Sequence, residues 1–245
     1  MNSLSVSIDL RLRAKEAKEA SREGNIIIVI DVLRCCSTIV TALANGAAGV
    51  IPVASLSEAR KLHRINPEYV LAGERGGIKP KDFDVGNSPR AFQSERFKDK
   101  YIILTTTDGT KAITLAKKAK TFIGSFLNVG KVAETVFKVA NEEGRGVTVV
   151  LSGKKGRFSL EDFLCAGAII EAMPREALKL SDLAQASLLA FRSVANKLDE
   201  VVRETEHGQY LRSLGFEADV EFCVQVNRFE VVPFLKGDVI VRQNF

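Results

Sequence analysis

Short β-branched runs alternate along the chain with amphipathic stretches, and four of the runs end directly in clusters of Asp, Glu, Arg, Thr, Ser and Gly. They read IIIVIDVLRCCST, YVLAGERGG, YIILTTTDGT and VTVVLSGKKGRFSLED. A short apolar run bounded by polar residues predicts a buried strand. Open α/β sheets keep their sites outside the carboxyl ends of the strands. The pattern therefore predicts an enzyme with its site at one edge of a sheet.

The spacing predicts strands over 26–30, 50–53, 69–72, 101–104, 121–124 and 147–151, with a weakly alternating edge strand over 5–12. Helices are predicted over 14–22, ended by Gly24; over 37–43, stopped at Asn45-Gly46; from Ser57; over 110–120, capped by Asp108; from the cap Asn128 to Glu143; and from a Ser159/Asp162 capping box to Met173. Ser88-Pro89 predicts a further cap and first helical position. The recurring order of strand, polar loop and helix is the βαβ signature of an α/β fold, three-layer α/β/α with a mainly parallel sheet. The rest differs. Residues 181–206 predict mostly helix, and 221–232 with 238–243 predict an antiparallel strand pair, turning around Pro233 and Lys236-Gly237, on the sheet edge. The expected organisation is one domain over 1–245, with 181–245 as a C-terminal appendage packed on it.

Composition narrows the function. Hydrophobic content of 46% and charged content of 27% fit a soluble globular chain of 245 residues. A net charge of +5 suits an anionic ligand, but the basic residues are dispersed and aromatics are only 7%, so nucleic acid is not expected as a partner. None of the four cysteines has CxxC spacing and there are two histidines, which argues against structural zinc. Adjacent Cys35 and Cys36 point to a reducing compartment. The N-terminus lacks the apolar core of a signal peptide, and no run approaches the ~18 apolar residues of a membrane span. The expectation is a cytoplasmic protein without a membrane partner; homo-oligomerisation is left open.

The polar clusters carry the candidate chemistry. Asp31 follows a strand, and a carboxylate there ligates metal, acts as a nucleophile or caps the next helix. Arg34 adds a planar fork of donors for phosphate or carboxylate, and Ser37 and Thr38 begin a helix whose free N–H groups attract anions. Glu74 and Arg75 repeat the acid–base pairing before Gly76-Gly77; a functional loop is favoured over a solvated turn there, because the same pairing recurs after another strand. Asp84 is read evenly as a ligand or a turn residue. Thr105, Thr106 and Thr107, followed by Asp108 and Gly109, offer hydroxyls and backbone N–H groups to phosphate or sulfonate oxygens. Lys154 and Arg157, in a basic glycine loop, suit a second anion or plain solvation; Asp162 is read evenly as a cap or a metal ligand. His207, in EHG, reads as an acid–base group or, more commonly, as a lone surface histidine. There is no GxxxxGK[ST] phosphate loop, no GxSxG elbow and no DxD acid pair at Asp31.

Taken in order, IDVLRCCST, LAGERGG, FDVGNSP, TTTDGT and LGFEADVEFC…VVP resemble the 2-phosphosulfolactate phosphatase family. The departures are Cys35-Cys36 in place of Ala with Thr or Ser, Asp108 in place of the commoner Asn, and Asn227 in place of Asp. The resemblance implies a cytoplasmic, Mg²⁺-dependent α/β enzyme that takes phosphate from (R)-2-phospho-3-sulfolactate, a step of coenzyme M biosynthesis. The residues fit this chemistry, in which positioning and charge neutralisation dominate. Mg²⁺ takes one or two carboxylates with phosphate and water, expected from Asp31, Glu74, Asp84 and Asp162. Arg34, Arg75 and the 105–107 backbone are expected to hold the phosphoryl group of a small anionic phosphorylated substrate, and the basic loop its sulfonate or carboxylate. Water attack with Asp31 as ligand is the expected mechanism, and Asp31 as covalent nucleophile its rival. Three other readings stay open: a phosphatase of another 2-phospho-hydroxy acid, a threonine-nucleophile amidohydrolase and a non-catalytic anion-binding protein.

Overall fold

The computed structural model describes residues 5–243; positions 1–4 and 244–245 of the expected domain span lie outside them. The strands are β1 (Val6–Arg11), β2 (Ile26–Ile30), β3 (Gly49–Pro52), β4 (Val70–Gly73), β5 (Tyr101–Thr105), β6 (Thr121–Gly124), β7 (Val147–Leu151), β8 (Leu178–Leu180), β9 (Pro233–Lys236) and β10 (Val239–Arg242). The helices are α1 (Ala17–Ala20), α2 (Cys35–Ala44), α3 (Leu56–Ile65), α4 (Gly109–Ala116), α5 (Val129–Glu143), α6 (Leu160–Glu171), α7 (Asp182–Val194), α8 (Leu198–Glu204), α9 (Glu206–Ser213) and α10 (Glu217–Cys223).

The α/β class and mainly parallel sheet are as expected. All strands join one sheet in the order β4-β5-β3-β10-β9-β6-β2-β7-β1-β8. Two parallel blocks, β4-β5-β3 and β6-β2-β7-β1-β8, are joined by the antiparallel hairpin β9-β10. The hairpin therefore lies inside the sheet, where the sequence reading put it on the edge. Its first strand is Pro233–Lys236, and the 221–232 run expected as strand is instead the end of α10, a turn through Asn227 and a segment without regular structure. β1 pairs with both β7 and the unforeseen β8, so it is not an edge strand either. The predicted helix over 181–206 is split into α7, a 3₁₀ turn and α8. Ser88-Pro89 opens a 3₁₀ helix, Pro89–Gln93.

β2 shows why the layers form. All five of its side chains are buried; Ile26, Ile28 and Ile30 enter one core, and Ile27 and Val29 the other. Each contributes about 1.5–3 kcal/mol from burial. Side chains of α5, α6 and α7 fill the first core; those of α1, α2 and α4 fill the second. Nine of the ten residues of α2 are buried, because the sheet curls around it.

That curl positions the site. The antiparallel steps from β3 to β10, β9 and β6 make the two parallel blocks run in opposite senses. A flat sheet would hold the carboxyl ends of β4 and β5 on the edge opposite those of β2 and β7. Strands twist by roughly 20–25° per step, which over the steps from β5 to β2 accumulates to roughly 100–125°. The twisted blocks bring the segments after β2, β4, β5 and β7 to one pocket. Among the described residues no helix is long and apolar enough to cross a membrane.

Candidate active site

The pocket is a polar cleft bordered by Asp31, Arg34, Glu74, Thr106, Thr107, Asp108 and Lys154, all expected from sequence, together with residues of α9. Asp31 sits at the end of β2. Its Oδ1 accepts a hydrogen bond from Cys35 N at 3.1 Å, the capping role of its readings, and the residue also borders the cleft. A Cβ at Gly109 would lie 2.4 Å from Asp31 Oδ2 and 2.5 Å from Cys35 Cβ, so only glycine lets the start of α4 approach so closely.

Three further carboxylates surround Asp31. Burial, followed by the charges of Asp108, Glu74 and Glu161, outweighs the Cys35 N–H and pushes Asp31 up to about 8. Glu74 joins the segments after β4 and β5: Oε1 accepts from Thr107 N, and Oε2 from Gly77 N, both at 2.7 Å. Asp108 occupies the cap position of α4 without capping it; Oδ2 instead accepts from Lys155 N at 2.8 Å, joining the β5 and β7 loops. Glu161 lies 3.1 Å from His207 Nδ1. Burial alone would raise Glu161, but the hydrogen bond and charge of His207 outweigh it and hold the group below its ordinary value.

Several expected donors are already spent. Arg34 borders the pocket, but Nη1 donates to Asp219 Oδ2 at 2.7 Å, Nη2 donates to Gly77 O at 2.8 Å, and the guanidinium stacks on Phe216 at 4.1 Å. Asp219 also accepts from Ser88 Oγ. Thr106 N donates to Thr110 Oγ1, Thr106 Oγ1 accepts from Thr110 N, and Thr107 N and Oγ1 both donate to Glu74. The 105–107 backbone thus shapes the wall but is not a free anion cradle. Thr105 is fully buried and its hydroxyl accepts from Arg75, whose other bond is to the Glu74 carbonyl. Neither borders the pocket.

Other expected residues also lie elsewhere. Ser37 is buried within α2 and donates to Val32 O. Arg157 is 72% exposed and pairs with Glu206. Asp84 is exposed, does not border the cleft, and its Oδ2 accepts from Leu71 N at 2.8 Å, tying its segment to β4. Asp162 is 2% exposed; Oδ1 accepts from Val32 N and Oδ2 from Gly153 N, so it ties the β2 and β7 loops together behind the pocket. Burial, with Glu161 and Asp31 nearby, raises it far above the ordinary carboxylate range.

Sequence reasoning missed the far wall. Lys154 Nζ lies 4.3 Å over the Tyr210 ring, and Tyr210 donates through its hydroxyl to Gly76 O at 2.9 Å. Asn87 borders the cleft 4% exposed, with Oδ1 unpartnered. His207, read as a surface histidine, lines the same cleft. Its only sequence signal was the scarcity of histidine, because Glu161 stands 46 residues away.

The donor set suits a divalent cation shared with a phosphorylated ligand. Buried carboxylates crowd together around Asp31, whose Oδ2 receives no hydrogen bond from the described residues, and a cation would relieve that repulsion. Among the described residues no group of three His, Cys, Asp or Glu could hold an ion without help. Mg²⁺ routinely binds through one or two carboxylates plus phosphate and water.

A family model described as 2-phosphosulpholactate phosphatase matches residues 12–238. The chain is 43% identical over 223 residues to the probable 2-phosphosulfolactate phosphatase of Thermotoga petrophila, covering 91% of this chain and 94% of that protein. It is 39% identical over 232 residues to the protein of that name from Caldicellulosiruptor saccharolyticus, covering 92% and 95%. A third, from Clostridium beijerinckii, is 34% identical over 242 residues, covering 96% and 99%.

Proposed function

The chain belongs to the 2-phosphosulpholactate phosphatase family, and from that membership we propose that it is a phosphoric monoester hydrolase that releases phosphate from (R)-2-phospho-3-sulfolactate, with Mg²⁺. The observation that carries the reading is the pocket itself. Asp31, Glu74 and Asp108 face Lys154 and the Arg34 edge across one cleft, as a cation-assisted site for a polyanion requires.

Asp31 and Glu74 would hold the Mg²⁺. Bound there, the ion supplies charge neutralisation at the phosphoryl oxygens. Asp31, whose carboxyl is pushed up to about 8 by burial and its neighbouring carboxylates, would hold the ion in its ionised form. Glu74, fixed by three hydrogen bonds, holds its position without rearrangement. Arg34, clamped by Asp219 and Phe216, presents a fixed positive edge. Lys154, spread over Tyr210, is placed for the sulfonate or carboxylate. The inferred route is direct water attack, and the sulfolactate product is the basis for placing the reaction in coenzyme M biosynthesis.

Phosphate release from 2-phospho-3-sulfolactate, with Mg²⁺ and with EDTA, tests the proposal in wild type and Asp31→Asn. Mg²⁺-dependent release lost in the variant is expected. Release from another 2-phospho-hydroxy acid alone would change the substrate and keep the chemistry. Release from no ester, with anion binding retained in EDTA, would refute catalysis.

A further inference from the structure

We propose that His207 is the proton donor to the departing alcohol oxygen, and that Glu161 positions it. The inference rests on the phosphatase reading. A phosphate ester of a secondary alcohol leaves as an alkoxide, which needs a proton as the P–O bond breaks. Several donors in the cleft are engaged, Arg34 with Asp219 and Gly77, Thr107 with Glu74, and Lys154 with Glu206 O, while Lys155 lines it without a carboxylate partner among the described residues that would aim its ammonium. His207 differs. Nδ1 meets Glu161 Oε1 at 3.1 Å, while Nε2 has no hydrogen bond to any described residue, and the ring lines the cleft.

The placement is built in. His207 lies in the first turn of α9, where Thr205 Oγ1 accepts from Gly208 N at 3.0 Å. A Cβ at Gly208 would sit 2.2 Å from Val202 O, which fixes the close turn from α8. Glu161 is 2% exposed on the first turn of α6. A buried carboxylate on Nδ1 orients the ring and turns Nε2 to the ligand. The charged groups around the ring are Glu161, the adjoining Glu206 with its partner Arg157, Glu204 beyond it, and Lys154 and Asp31 across the cleft.

In the step, a water oxygen bonds to phosphorus and the ester P–O bond breaks. The electron pair of that bond takes the Nε2 proton to form the 2-hydroxyl; of the water's two protons, one stays with phosphate and the other is released to solvent. The neutral imidazole regains its proton from solvent.

The test compares leaving groups. His207→Asn and Glu161→Gln, with folding checked by thermal melts, are assayed on 2-phospho-3-sulfolactate and on 4-nitrophenyl phosphate, whose phenolate leaves without a proton. His207→Asn is expected to lower kcat on the alkyl ester by roughly 10²-fold or more, with KM little changed, and to spare the aryl ester. Its kcat–pH profile should lose the high-pH limb. Glu161→Gln should lower kcat on the alkyl ester by less than His207→Asn does and should likewise spare the aryl ester. Equal losses on both esters, or an unaltered profile, would overturn the assignment. A wild type that hydrolyses neither ester would instead sink the phosphatase reading on which it rests.

Discussion

Arg34 and Asp219 stand 185 residues apart in sequence and 2.7 Å apart in the fold, both almost fully buried. The pair joins the loop after β2 to α10, and Ser88 adds the segment after β4 by bonding the same carboxylate. An arginine expected to grip substrate is thus first a clamp between distant parts of the chain.

Breaking that clamp from one side leaves a buried charge. Asp219→Ala should cost about 3–5 kcal/mol of stability in urea unfolding. The double variant Arg34→Met/Asp219→Leu should recover most of it, since an apolar pair of similar volume is commonly neutral or stabilising. Activity should not return, because the positive edge of the cleft is gone. A double variant as unstable as the single would contradict the clamp.

Gly109 is the steric partner of Asp31. Gly109→Ala puts a methyl group 2.4 Å from Oδ2 and 2.5 Å from Cys35 Cβ. Overpacking of this kind costs about 1–3 kcal/mol. The carboxylate must also move, so kcat/KM should fall much further than stability does. A melt and a kinetic assay on the same preparation separate the two.

Asp31 sets a pH dependence. Its carboxyl is raised to about 8 against an ordinary 3.8, so the folded state binds the proton more tightly than the unfolded state. That stabilisation is present below the unfolded value and is lost as pH rises towards the folded one, amounting to on the order of 5 kcal/mol. Without divalent ions, the protein should melt progressively lower from pH 4 to pH 8. Asp31→Asn should flatten this slope and melt roughly 10–20 °C higher at pH 8, at ~2–4 °C per kcal/mol. Mg²⁺ should raise the wild-type melting temperature at pH 8 and leave the variant unmoved.

Asp84 and Asp162 should part company. Asp84→Ala, at an exposed turn, should leave kcat/KM within about twofold, in keeping with surface changes of ~0.5 kcal/mol. Asp162→Ala strands the N–H groups of Val32 and Gly153, each costing about 1–3 kcal/mol when buried. It should destabilise the protein and disorder the cleft. Equal kinetic damage in the two variants would contradict these placements.

Local pattern revealed the strands and the loops that meet at the cleft, because burial of β2 or β7 is written in consecutive β-branched residues. Strand order was not legible: nothing in residues 233–242 says which strands they will separate. The run from Glu221 misled because Phe222 and Cys223 are buried from a helix, whose Asp219 answers a distant arginine. The 105–107 segment misled for a related reason. Thr106 and Thr110 satisfy each other, and Glu74 takes what Thr107 offers, before any ligand arrives. Pairs such as Glu161 and His207 exist only once the chain has closed.

The interior hairpin also orders the birth of the molecule. During synthesis, β3 and β6 emerge well before β9 and β10, and each waits with one side unpaired. Exposed strand sides are templates for the wrong partner, and long-range strand pairing is slow. The nascent chain must therefore keep two half-sheets apart until residues 233–242 arrive. Only then can the pocket, which draws on both halves, come into being.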